Sequence, residues 1–169
     1  MKNIRIVFER DKGIVPWLIR YFTSCPYNHV GIEYVSEDWN EPWIVEAVKS
    51  GTRNFPVKPH RKWVRAYEVL YDGADRDLRA LSPMIGLPYD YEGLVVFGFC
   101  KMLVNWFKMK VWYPKVTYRG ELCSEIVAEF LMPRFGKPAG EPQWVSPADI
   151  DAFCAEQVLA GTGNFKRDS

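Results

Sequence analysis

The sequence has only two histidines, His29 and His60, in 169 residues, and its four cysteines, at positions 25, 100, 123 and 154, form no C-x-x-C pair. It contains no H-E-x-x-H segment and no Cys/His cluster at zinc-finger spacing, so neither a metal nor any other cofactor is expected. Charge of one sign is not in excess: 22 Lys and Arg face 21 Asp and Glu, a formal net charge of +1. The totals therefore give no electrostatic case for nucleic acid as a partner. Internal repeats and low-complexity tracts are lacking too, and prolines and glycines are scattered rather than gathered in a linker. The longest apolar stretch, 93–107, is shorter than the ~20 residues a membrane span needs and is interrupted by Lys101 and Asn105. It reads as a buried or cleft-lining helix, with interfacial membrane contact as the other reading. The segment Met1 to Asp11 has no apolar core of the signal-peptide type. The cysteines then read as free thiols in a reducing, cytoplasmic compartment.

What is present is a globular composition, 48% hydrophobic and 15% aromatic, long enough for one domain with a sizeable core. Ile4 to Phe8 reads as a strand, and Val15 to Phe22 as a helix with Trp17, Leu18, Tyr21 and Phe22 on one face. From Asn28 to Val35 the chain alternates, with Val30, Ile32 and Tyr34 on one side and His29, Gly31 and Glu33 on the other. Trp43 to Val48 and Val64 to Leu70 read as further strands. Helices are expected over Asp75 to Ile85, Tyr91 to Lys108 and Cys123 to Leu131, the last closed by Pro133. Ser146-Pro147-Ala148-Asp149 starts another helix, with Ser as cap and Pro in the first turn. The tail from Gly161 is expected to fray. Strands and helices are segregated more than alternated, which argues for an α+β fold.

Two segments carry candidate chemistry. Cys123 opens a helix whose first turn favours thiolate over thiol. Ile126, Val127, Phe130 and Leu131 share its face, which points the thiol inward. A lone cysteine so placed is commonly a plain core residue. His29 can take a thiol proton and later protonate a leaving group; alone, it is also an ordinary strand histidine. Gly31, two residues on, leaves room for another element to approach. His60 is a poorer base, set in the solvated basic run Lys58-Pro59-His60-Arg61-Lys62. Glu46 interrupts the apolar Ile44-Val45-Glu46-Ala47-Val48 and needs a partner if buried. A hairpin whose turn centres between Glu37 and Asp38 sets Glu46 directly opposite His29. Otherwise Glu46 is an edge-strand carboxylate in water.

Five segments occur in an order that resembles a known family. They are Asn28-His29-Val30-Gly31-Ile32, Val45-Glu46-Ala47, Gly86-Leu87-Pro88-Tyr89-Asp90, Cys123-Ser124-Glu125-Ile126-Val127 and Ser146-Pro147-Ala148-Asp149. The order resembles the circularly permuted NlpC-type papain-like cysteine hydrolases, the YiiX/YaeF-like group, with lecithin:retinol acyltransferase as a distant relative. The resemblance implies a permuted papain-like fold in which a small antiparallel sheet packs against the cysteine-bearing helix. It implies one hydrolase domain over 1–169, from whose pattern an apolar helical insertion at about 91–112 departs. It further implies Cys123 as nucleophile, His29 as base and Glu46 as the orienting residue, with Tyr27, Tyr89 and Tyr118 as candidate substrate contacts. The activity implied is hydrolysis of an amide (peptide, isopeptide or peptidoglycan-type) or of an ester through a cysteinyl acyl-enzyme. A lipid acyltransferase or thioesterase, or a catalytically silent binding module, are the alternatives on the same fold. The partner is then a peptide, amide or acyl-lipid substrate.

Overall fold

The structure is a computed structural model that describes residues 2–108, 120, 122–137 and 140–168. Six strands build one antiparallel sheet: β1 (Lys2–Glu9), β2 (His29–Val35), β3 (Pro42–Val48), β4 (Gly51–Pro56), β5 (Arg65–Val69) and β6 (Phe165–Arg167), in the order β4-β3-β2-β1-β5-β6. Among the described residues, five helices accompany it: α1 (Ile14–Thr23), α2 (Ala74–Arg79), α3 (Tyr91–Phe107), α4 (Cys123–Phe135) and α5 (Pro147–Leu159). The fold is α+β, with the strands mostly early in the chain and the helices mostly late.

The alternation of β2 and β3 decides what packs where. Val30, Ile32, Tyr34, Val45 and Ala47 join one core with Ile126, Val127, Phe130 and Leu131 of α4, and those four α4 residues are completely buried. The other sheet face holds a smaller cluster of Val7, Ile44 and Ala66 under Val57 and Trp63. His29, Gly31 and Glu33 lie on this second face, together with Ile44 and Glu46. Burial on both faces explains why β2 is buried almost without interruption.

The pairing of β2 with β3 differs from the one drawn from the sequence. Ile32 faces Val45, Glu33 faces Ile44 and Tyr34 faces Trp43. These pairs centre the turn between Asp38 and Trp39, and continuing them sets Gly31, not His29, opposite Glu46. The shift moves each residue by two places along the partner strand, so His29 and Glu46 stay on one face as a diagonal pair. Gly31 makes that diagonal passable: a Cβ there would lie 2.9 Å from Ile44 Cδ1.

Other boundaries also move. β4 has no counterpart among the strands expected from the sequence. The tail does not simply fray, because β6 pairs with β5 through Val69–Phe165, Glu68–Lys166 and Tyr67–Arg167. Phe165 anchors it against Phe135, Phe153 and Tyr71. Pro133 lies within α4, which continues to Phe135 and stops at Gly136 with φ 68°. α2 ends at Arg79, and a short 3₁₀ turn, Ser82–Met84, replaces the rest of the expected helix.

One glycine ties the sheet to the segment before α3. Gly51 has φ 108°, and a Cβ on it would stand 2.5 Å from the Leu87 carbonyl oxygen. Thr52 N–H donates to that same oxygen at 2.8 Å, and Gly86 N–H donates back to the Thr52 carbonyl at 2.9 Å. Gly51→Ala is therefore expected to lower stability by roughly 1–3 kcal/mol, read as a lower urea midpoint at unchanged slope. A midpoint equal to wild type would show that this close approach carries no strain.

Candidate active site

The structure brings Cys123, His29 and Glu46 together at one end of β2. His29 is the first residue of β2 and pairs with Glu9 at the end of β1. Asn28 fixes its position from below: its N–H donates to the Glu9 carbonyl, its Oδ1 accepts from Asp11 N–H at 2.8 Å and from Arg20 Nη1 at 2.7 Å, and its Nδ2 donates to Asp11 at 3.0 Å. The His29 Nε2 lies 2.7 Å from Glu46 Oε2. An ionised carboxylate can only accept, so Nε2 carries the hydrogen and Nδ1 is the nitrogen left for a second partner. That partner is the Cys123 thiol, which is also hydrogen-bonded to the His29 side chain.

Glu46 is completely buried, and its charge is met by three groups. Arg53 donates to Oε1 through Nε at 3.0 Å and Nη2 at 2.7 Å. Arg61 donates to Oε1 at 2.9 Å and to Oε2 at 2.6 Å. Arg61 in turn holds Glu9 at 2.6 Å and lies 4.7 Å over the Trp63 ring. Burial pushes the Glu46 carboxyl up, but His29 and Arg61 outweigh it and hold the group well below the usual carboxylate range. For His29, burial pulls the imidazole down. The hydrogen bonds and charges of Cys123 and Glu46 outweigh that and raise it from 6.5 to about 10. The arrangement favours imidazolium near neutral pH.

Cys123 is the first residue of α4, after Leu122. Helix geometry leaves the first amide N–H groups without an i−4 carbonyl, so the thiol sits at the positive end of the helix dipole. Tyr89 lies in the strapped segment 86–90. Its hydroxyl is pushed up, first by burial and then by the neighbouring charge of Cys123. Gly120 allows the close approach: a Cβ there would be 2.7 Å from the Pro88 carbonyl oxygen.

Two cavities are lined in part by His29. One, of about 500 Å³, is lined by Glu46, Arg53, Lys58, His60 and Arg61. The other, of about 490 Å³, is lined by Asn28, Val48, Lys49, Tyr89 and Tyr91. The second cavity is lined by both His29 and Tyr89, the two residues that interact with Cys123. Tyr27 lines neither cavity. It is a core residue, 3% exposed, against Phe8 with ring centroids 5.2 Å apart and beneath Arg65 at 5.5 Å. Tyr118 and residues 109–112 of the expected insertion lie outside the described residues.

Sequence reasoning missed Arg53, Arg61 and Glu9. The basic run 58–62 reads as solvated, yet the Arg61 side chain is 14% exposed and fully engaged. The only signal in the sequence was the need of a buried Glu46 for more than one cation.

No family model matches the sequence, and neither does any curated protein. Among solved structures, the chain is similar to the metalloprotein YiiX of Escherichia coli O157:H7, DUF1105, with TM-score 0.55 and 16% identity over 99% of this chain and 96% of that one. At that identity the likeness shows a shared fold. Among the described residues of this chain, no group of three or more His, Cys, Asp and Glu is placed to hold a metal ion. The Glu46 oxygens are already taken by His29 and two arginines, so these residues do not fit a metal. Among the described residues, no helix is long and apolar enough to cross a membrane.

Proposed function

We propose that this protein is a cysteine hydrolase that cleaves an amide or ester bond through an acyl-enzyme on Cys123. The reading takes 1–169 as one permuted papain-like domain in which 91–112 is an insertion. The observation that supports it is the placement of His29, held on Nε2 by Glu46 and engaged by the Cys123 thiol at a helix start. In the resting pair the proton sits on His29, and Cys123 attacks the carbonyl as thiolate. The N–H groups at the start of α4, that of Cys123 among them, stabilise the oxyanion. His29 protonates the leaving group, then takes a proton from the water that resolves the thioester. Glu46 keeps the ring in the tautomer that aims Nδ1 at sulfur. A second reading, acyl transfer or thioester cleavage on a lipid, is favoured by the apolar character of α3.

The test is alkylation by iodoacetamide at pH 5–9, followed residue by residue by mass spectrometry. Cys123 should react fastest, and His29→Ala should slow it at least tenfold at neutral pH. Burial pushes Cys25 up to about 11 and raises Cys100 and Cys154 as well, so these three should stay unmodified in the folded protein. A Cys123 that reacts no faster than Cys25, or that ignores the His29 substitution, would leave a silent binding module as the better account.

A further inference from the structure

An apolar groove of about 410 Å³ runs between α1 and α3. Leu18, Ile19 and Phe22 form one wall, and Leu94, Gly98 and Met102 the other. Two polar side chains border it, and both are committed to backbone carbonyls. Thr23 Oγ1 donates to Ile19 at 2.7 Å, and the Tyr91 hydroxyl donates to Lys49 at 3.2 Å. The groove adjoins the cavity that holds His29. Ile19 and Tyr91 line both the groove and the cavity that contains His29 and Tyr89, and the Tyr89 and Tyr91 rings are 5.0 Å apart. From Tyr91 to Met102 the helix wall extends about 16 Å, the reach of a medium to long acyl chain.

The lining selects among occupants. A peptide laid here would bury backbone N–H and C=O groups against walls that offer them no partner. An acyl chain has no such groups and gains from every methylene removed from water. We infer that the substrate of the Cys123 site is a long-chain fatty acyl ester or amide, its carbonyl at Cys123 and His29 and its chain between α1 and α3. This rests on the hydrolase reading above. The Cys123 sulfur forms a bond to the acyl carbon, the bond to the alcohol or amine breaks, and the His29 proton leaves with that group. Water then splits the thioester: its hydroxyl goes to the acyl carbon and releases the fatty acid, its other hydrogen goes to His29, and the thiolate and imidazolium are restored.

The test compares p-nitrophenyl acetate, butyrate and decanoate, all kept monomeric, on wild type and Gly98→Leu. A Cβ at 98 would lie 3.5 Å from Phe22 Cδ2, so a leucine must project into the groove, while Gly→Leu within a helix favours folding. For wild type, kcat/KM should rise two- to fourfold per added methylene between butyrate and decanoate. In Gly98→Leu, the decanoate-to-butyrate ratio should fall at least tenfold. Phe22→Ala, which opens the opposite wall, should shift the preference to chains longer than decanoate. A wild-type ratio near one, or an equal ratio in all three proteins, overturns the inference. So does a change of oligomeric state in Gly98→Leu with the ratio unaltered, which would assign the groove to a second copy. Should no ester turn over, calorimetric titration with decanoate separates the claims. Binding that Gly98→Leu weakens tenfold supports the acyl groove while the hydrolase reading falls, and no binding overturns both.

Discussion

Cys123→Ala is expected to reduce hydrolysis of an activated ester by about 10³–10⁴-fold or more, leaving the fold intact. The nucleophile, its base and the group that orients the base act as one unit, so removing the sulfur removes the covalent route rather than a fraction of it. What survives is the N–H donors at the start of α4, which polarise the carbonyl without an attacking group. The structural cost should be small, about 1 kcal/mol, because the neighbours of Cys123 on α4, Ile126 and Val127, keep their own burial. Steady-state kinetics and thermal unfolding on the same sample check both halves. Residual activity within tenfold of wild type would remove Cys123 from the mechanism.

Glu46→Gln is expected to cost about 3–5 kcal/mol of stability and to lower kcat by roughly 10²–10⁴. The substitution is nearly isosteric, so the loss is one of charge. Arg53, Arg61 and a protonated His29 converge on the carboxylate, and the amide would turn donor hydrogens toward at least one of them. The pH dependence gives the sign. The carboxyl of Glu46 is depressed below its ordinary 4.5, so the stability it contributes is present above that value and is lost as pH falls through the folded pKa. His29 is raised from 6.5 to about 10, so its contribution is complete below 6.5 and is lost as pH rises toward 10. The pair stabilises the fold most fully between about 4.5 and 6.5. Urea unfolding across pH 2–10 should give wild type a falling arm on each side, and Glu46→Gln shallower arms on both. A constant offset between the two proteins would show that the ion-pair network does not couple to folding.

Periodicity made the sheet core and the α4 face readable, because Val30, Ile32, Tyr34, Ile126 and Phe130 are apolar at the spacing their elements demand. β4 was not readable. Gly51-Thr52-Arg53-Asn54-Phe55-Pro56 mixes turn residues with a cation and an amide, the composition of an edge strand held by one neighbour. β6 is too short to show a period, and its strand identity comes from β5 beside it. The register error has a simple origin: the turn 36–41 carries Asn40 at φ 51°, and no rule of alternation locates that left-handed residue. The face of Glu46 survived the error because a shift by two preserves side. Arg61 was hidden for a different reason, since its loop has no period and its partners lie on β1 and β3.

The order of elements has a consequence for synthesis. Translation delivers β1 to β5, with His29, Glu46, Arg53 and Arg61, before it delivers α4. At ribosomal rates of about 5–20 residues per second, several seconds separate the imidazole from the sulfur. The charged cradle can form from hairpins alone, since β2, β3 and β4 are joined by short turns. A nascent chain therefore carries no pair of Cys123 and His29 until α4 docks, with α5 and β6 following it. A chain arrested upstream of Cys123 would hold the cradle and be inert.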